Sequence, residues 1–213
     1  MDSISNFVDT LQEIDLLVTY AQRNSKDFVR YRLFNKVAIV LLMSKFENFL
    51  EVFIEEHSDK QLQGHSPATF PDNLKVLYLD EAAKEILNKH GKDKKEKVVK
   101  YIQQLYGDST EKNIYSLKSI KPSCCFNYGK HGSDEIKKLF TNHGLGKFIK
   151  SDGLRPIIDK LNSCIAIRNN IIHQDVTPSL THQDVVSHAN NIRDFVAHLK
   201  EDINKNKAIY YNV

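Results

Sequence analysis

Near the end of this 213-residue chain, the stretch IRNNIIHQD (167–175) places Arg168, Asn169, Asn170 and His173 directly after an apolar helical run. These residue types can act on a phosphodiester. A guanidinium stays charged and forks onto phosphate oxygens. An imidazole changes protonation near neutrality and can move a proton. Carboxamides offer donors and acceptors that orient either group. The same residues also suit a plain helix end, where Arg168 and His173 meet the negative end of the dipole and Asn170 frays into a cap. Position alone leaves both readings open.

The pattern leading into the motif weighs on that choice. Leu154, Ile158, Leu161, Ile165, Arg168 and Ile172 step alternately by four and three, which is the seam of a helix facing a bundle core. Arg168 takes one place in that seam. It must snorkel out or meet a partner, because a buried guanidinium without one costs several kcal/mol. His173 follows five residues later, roughly 140° around an ideal helix from Arg168, so the two flank a groove and do not stack on one line.

The remaining elements are helical. Ile4, Phe7, Val8, Leu11, Ile14, Val18 and Ala21 keep helical spacing behind Asp2 or Ser3 as N-cap, up to a break at Asn24-Ser25. A long second pattern runs from Phe28 through Val37, Leu41, Phe49 and Phe53 past Glu56, and GHSPATFPD (64–72) reads as a loop. Shorter helices are predicted over 80–90 and 92–107, the latter with a basic first turn that opposes its dipole. Residues 119–132 show no clean period. Residues 133–144 make a short helix with Ser133 as N-cap and Gly144 closing it. The last two helices cover 151–173, starting near Leu154 with Pro156 in its first turn, and 181–205, opened by a capping-box pair Thr181 and Asp184. The fold class expected is all-α: an up-and-down bundle of four to five core helices (about 3–60 and 151–205) in a single domain over 1–213, with a helical and irregular insert at about 64–150.

Composition narrows the function classes. Eight glycines and five prolines in 213 residues favour long helices over many-turned β architecture. A net charge of +3 permits an anionic partner without demanding one. Cys124, Cys125 and Cys164 are odd in number and form no CxxC, and the nine histidines show no ligand spacing, so no metal or other cofactor is expected. The N-terminus has no secretory pattern and the run VAIVLLM (37–43) is too short for a bilayer, which favours a cytoplasmic setting away from membranes.

Arg168, Asn169 and His173 near the end of a terminal helix pair, behind the helix carrying LLMSKFENFLEVFIEE (41–56), resemble the signature of the HEPN superfamily: an Arg followed by a polar residue, with a His four to six positions later. Phe46-Glu47 is similar to the "FE" helix of its MAE-like and RiboL-PSP-associated groups. The resemblance covers about 1–60 and 150–205. It departs where His173 is followed by Gln174-Asp175, since many members continue with Gly there. The family implies a metal-independent endoribonuclease that works as a homodimer, with two copies of the motif facing each other over one RNA cleft. It implies a 2′-hydroxyl attack that leaves a 2′,3′-cyclic phosphate. Arg168 and His173 would be catalytic, with Asn169, Asn170 and Glu47 in support; Glu47 either reaches the motif and pairs with Arg168 or is an ordinary solvated carboxylate. A toxin or defence role, with an antitoxin or defence-system partner, follows from the same resemblance.

Two other readings stand beside it. In one, the domain is a non-catalytic HEPN-like module for RNA or nucleotide binding or for dimerisation. In the other, it is a structural protein whose middle segment docks a partner. The basic run 89–100 reads first as a solvated face. Tyr101, Tyr106, Tyr115 and Tyr128 read as packing residues that can also stack on bases.

Overall fold

The computed structural model describes residues 2–87, 93–107, 114–125, 132–173 and 179–212, and the described residues contain helices and turns without strands. Helices α1 (Asp2–Thr10) and α2 (Gln12–Arg23) divide the single helix expected from the pattern at Leu11. The break turns Ile4, Phe7, Leu11 and Ile14 all inward, each at most 5% exposed. Both helices lie on α3 (Phe28–Gly64), the spine of the domain. At 37 residues, α3 runs about 55 Å. Asp27 caps it by accepting from the Arg30 amide. Its central face carries Phe46, Leu50, Phe53 and Ile54, all fully buried.

Helices α8 (Arg155–His173) and α9 (His182–Lys205) form the closing hairpin against α3. The capping box at α9 is present in full: Thr181 Oγ1 accepts from the Asp184 amide, and Asp184 accepts from that of Thr181. Tyr31 Oη accepts from the His182 amide and Asn35 Nδ2 donates to the Leu180 carbonyl, so the start of α9 is pinned to the first turns of α3. Farther along, Asn191 Nδ2 donates to the Ile157 carbonyl and locks α9 to the start of α8. These contacts set α9 parallel to α3 and α8 antiparallel to both. The motif end of α8 therefore lies beside the N-terminal half of the spine.

The middle segment divides into two parts. Helix α4 (Asp72–Leu87) begins eight residues earlier than the pattern suggested. It starts immediately after Pro71, whose carbonyl accepts from Leu74 and Lys75, and Leu74, Tyr78 and Ala82 give it a buried stripe at four-residue spacing. With α5 (Asp93–Tyr106) and a 3-10 turn (Tyr115–Ile120), it closes a small core of its own around Phe70, Tyr78, Leu105 and Leu117. Helices α6 (Ser133–Asn142) and α7 (Gly146–Ile149) belong instead to the main core. Phe140 is fully buried and packs between Phe53 and Phe195. Ser133 is the first residue of α6 rather than its cap, and Gly144 takes the expected left-handed turn at φ +83°. Helix α10 (Lys207–Tyr211) folds back over the end of α3. Among the described residues no helix is long and apolar enough to cross a membrane.

Candidate functional site

The seam of α8 leaves the core as it approaches the motif. Leu154, Ile158 and Leu161 are buried, Ile165 and Arg168 are half-buried, and Ile172 is 47% exposed. Arg168 therefore stands where the packed interior opens to solvent. Its Nη1 donates to Asn169 Oδ1 at 2.9 Å, and its Nη2 lies 3.4 Å from Glu47 Oε2 on α3. The side chains of Arg168 and Glu47 are 15% and 13% exposed. The first contact is a well-formed hydrogen bond. The second is long for a charge-assisted bond, and the other guanidinium N–H groups carry no further bond among the described residues. The arginine is anchored at one edge and leaves donor capacity for an outside anion.

Glu47 is perturbed by the same setting. Burial is the largest influence and raises its carboxyl above the ordinary range. The Arg168 charge opposes this with less effect, and Glu51 one turn away adds to the rise. Below it, burial and the Glu47 charge push the Cys164 thiol up to about 12, so that cysteine is a packing residue.

His173 is the last residue of α8 and is exposed, and Asn170 is half-buried without a hydrogen bond among the described residues. The motif residues thus share one helix end, with Glu47 added from the spine. Asn169 Oδ1 meets the Arg168 guanidinium. Gln174 and Asp175 lie outside the described residues, as does Tyr128. Elsewhere Tyr101 is buried in the small core and Tyr106 lies under Lys75, whose Nζ is 5.2 Å from its ring centroid. His188 is half-buried and His198 exposed on α9, far in sequence from the motif.

One feature beside the motif is absent from the sequence reading. Leu33, Val37, Val40, Leu41 and Ile171 line an apolar groove of about 430 Å³ between the N-terminal half of α3 and the end of α8. Leu33 and Val37 are 54% and 43% exposed. The signal for it was in VAIVLLM (37–43). Ala38, Ile39, Leu42 and Met43 fill the core, so the other apolar residues of that run must face elsewhere.

The described residues form an all-α bundle in which α8 carries Arg-Asn and a terminal His, with the Arg set against a carboxylate of the spine, as expected for a HEPN domain. A model described as RiboL-PSP-HEPN matches residues 5–205, and the chain belongs to that family. The match takes in the middle segment as well as the bundle. Comparisons with curated proteins and with solved structures return no match. Domains of this family are nuclease-like or RNA-related modules, often ribonucleases, and commonly dimerise and bind RNA.

Proposed function

We propose that the protein is an endoribonuclease that needs no metal ion and cuts RNA by attack of a 2′-hydroxyl on the adjacent phosphodiester. The observation that carries this reading is Arg168, half-buried and held by Asn169 and Glu47, yet with N–H groups left to offer. In the reaction the O2′–P bond forms and the P–O5′ bond breaks. One proton leaves the 2′-hydroxyl and one reaches the 5′-oxygen, leaving a 2′,3′-cyclic phosphate. Arg168 is a catalytic residue that binds the phosphate and meets the charge growing on its oxygens. His173 is the proton-transfer residue at the solvent edge of the same helix. Asn169 and Glu47 position Arg168, and Asn170 offers its amide to the RNA backbone.

The proposed nuclease acts as a homodimer. A single copy provides one imidazole, whereas the reaction takes up one proton and delivers another. Two copies packed through the apolar groove beside α8 bring two motifs to one cleft, so that one His173 accepts and the other donates. Leu33 and Val37 supply exposed apolar surface for that contact. A ribonuclease of this kind has to be restrained in the cell that makes it, and an antitoxin or another defence-system partner serves that role.

A labelled transfer RNA or single-stranded RNA incubated in EDTA tests the proposal. The wild type is expected to leave cyclic-phosphate ends. Arg168→Ala and His173→Ala are each expected to lose on the order of 100-fold or more in rate. Val37→Glu is expected to give a folded monomer with the same loss. Intact RNA with the wild type, or cleavage that neither motif substitution slows, overturns it. Binding by a dimer that leaves the RNA whole points instead to a non-catalytic RNA-binding module, a role compatible with an arginine already paired to Glu47.

A further inference from the structure

A second cleft lies at the other end of the bundle. It has a volume of about 760 Å³ and is walled by the starts of α4 and α7 and by the corner between α9 and α10. On its floor is Gln61, fourteen residues beyond Glu47 on α3 and therefore about 21 Å from it along the helix axis. We propose that this cleft binds a phosphorylated nucleoside, with Gln61 meeting an edge of the base and Lys147 and Lys150 holding the phosphate.

The Gln61 amide carries the argument. The residue is 3% exposed, yet its side chain has no hydrogen bond among the described residues and its polar atoms remain open to the cleft. An amide kept without a protein partner on the floor of a cleft has its donor and acceptor available to a ligand. The floor is also shaped around it. A Cβ built at Gly144 would stand 3.1 Å from Gln61 Nε2, and the left-handed φ of +83° at Gly144 independently resists a side chain there. Donor and acceptor in one plane match the edge of a nucleobase, as glutamine does when it reads adenine.

The surroundings fit the rest of such a ligand. Leu74 beside the amide and Ile209 at the mouth give apolar surface for the faces of a ring. Lys147 and Lys150 stand three residues apart at α7, both exposed and without an ion pair among the described residues. At that spacing the two side chains are neighbours and can share one phosphate. Asp202, the carboxylate in the cleft, is already satisfied by Tyr210 Oη at 2.7 Å and Asn206 Nδ2 at 2.9 Å. The volume is within the range of small-ligand pockets. A free mononucleotide and the phosphorylated end of an RNA carry this same chemistry, and the site does not depend on the nuclease reading.

Calorimetric titration of the full-length protein tests the site, with each of the four ribonucleoside 5′-monophosphates, inorganic phosphate, and a short oligoribonucleotide with and without a 5′-phosphate. At least one monophosphate, or the phosphorylated oligonucleotide, is expected to bind better than inorganic phosphate. The first result assigns a free nucleotide and the second an RNA end. Lys147→Ala combined with Lys150→Ala is expected to weaken binding about tenfold or more. Gln61→Leu is expected to remove the advantage over inorganic phosphate. No binding by any probe, or binding unaffected by the lysine pair, overturns the proposal. The lysines are exposed, so they decide the matter even if Gln61→Leu fails to fold.

Discussion

Arg168 Nη2 reaches Glu47 Oε2 at 3.4 Å across 121 residues of chain, from the last turns of α8 to the middle of α3. The pair is asymmetric. Burial raises the Glu47 carboxyl more than Arg168 lowers it, and Glu51 pushes in the same direction as burial. The charge on Glu47 is therefore a cost to the fold that the arginine only partly offsets, as is common for ion pairs withdrawn from water. In the proposed reaction its use lies in placing the guanidinium.

This separates stability from activity at Glu47. A carboxyl raised in the folded state contributes stability at low pH that is lost as pH rises through its folded value. At neutral pH, Glu47→Gln removes that loss and retains an acceptor for Arg168. We expect a urea midpoint no lower than that of the wild type, measured at pH 7. Cleavage is expected to fall by about tenfold through kcat, because a neutral amide holds the guanidinium less firmly than the carboxylate does. A large drop in the urea midpoint would show that the pair holds the fold together.

The visibility of the site in the sequence follows from how local its signals are. Arg168 stood out because it interrupts a four-and-three seam of Leu154, Ile158, Leu161 and Ile165, and a helix pattern is a local property. Glu47 stood out through the resemblance of Phe46-Glu47 to the family's FE helix. The middle segment was harder. Phe140 packs against Phe53 far upstream and Phe195 far downstream, and no local period records that packing. Gln61 and Gly144, which shape the second cleft, are likewise distant in sequence. The split at Leu11 was hidden because both halves keep one apolar stripe.

A buried histidine network ties the middle segment and the C-terminus to α3, and it carries a pH dependence. His57 is fully buried. Its Nε2 faces the His143 carbonyl at 3.1 Å and must donate, so its Nδ1 accepts from Tyr211 Oη at 2.8 Å. By the same reasoning His143 Nε2 donates to the Ser123 carbonyl and its Nδ1 accepts from Ser58 Oγ at 2.6 Å. Both rings are held neutral. Burial lowers His57 to about 3 and His143 to about 4, against an ordinary value of 6.5. Unfolding releases both rings to bind protons, so their contribution to stability is full above pH 6.5 and falls as pH drops toward 4. With two protons taken up, the slope approaches about 2.7 kcal/mol per pH unit. Urea denaturation between pH 7 and 4.5 is expected to show this loss. In His57→Phe the slope should fall by up to about 1.4 kcal/mol per pH unit, the share of one proton, although the protein is less stable at every pH. A slope equal to that of the wild type would mean that His57 is charged in the fold.

Gly64, the last residue of α3, bears on the same network from its other side. A Cβ at this position would stand 1.9 Å from the Tyr211 carbonyl oxygen and 2.8 Å from its carbon. The obstacle is backbone, so no rotamer change relieves it. Glycine to alanine at a helix end ordinarily gains a few tenths of a kcal/mol or more, because it restricts the unfolded chain. Here the opposite sign is expected. To admit the methyl group α10 must move away from α3, and that shift stretches the Tyr211–His57 hydrogen bond and the bond from His65 Nε2 to the Tyr210 carbonyl. Gly64→Ala is expected to lose about 1–3 kcal/mol in urea denaturation, the range for overpacking at a close contact. Faster amide exchange in α10 should accompany it, with α1 and α2 unchanged. A gain in stability would mean that α10 rests on α3 more loosely than the Gly64–Tyr211 contact implies.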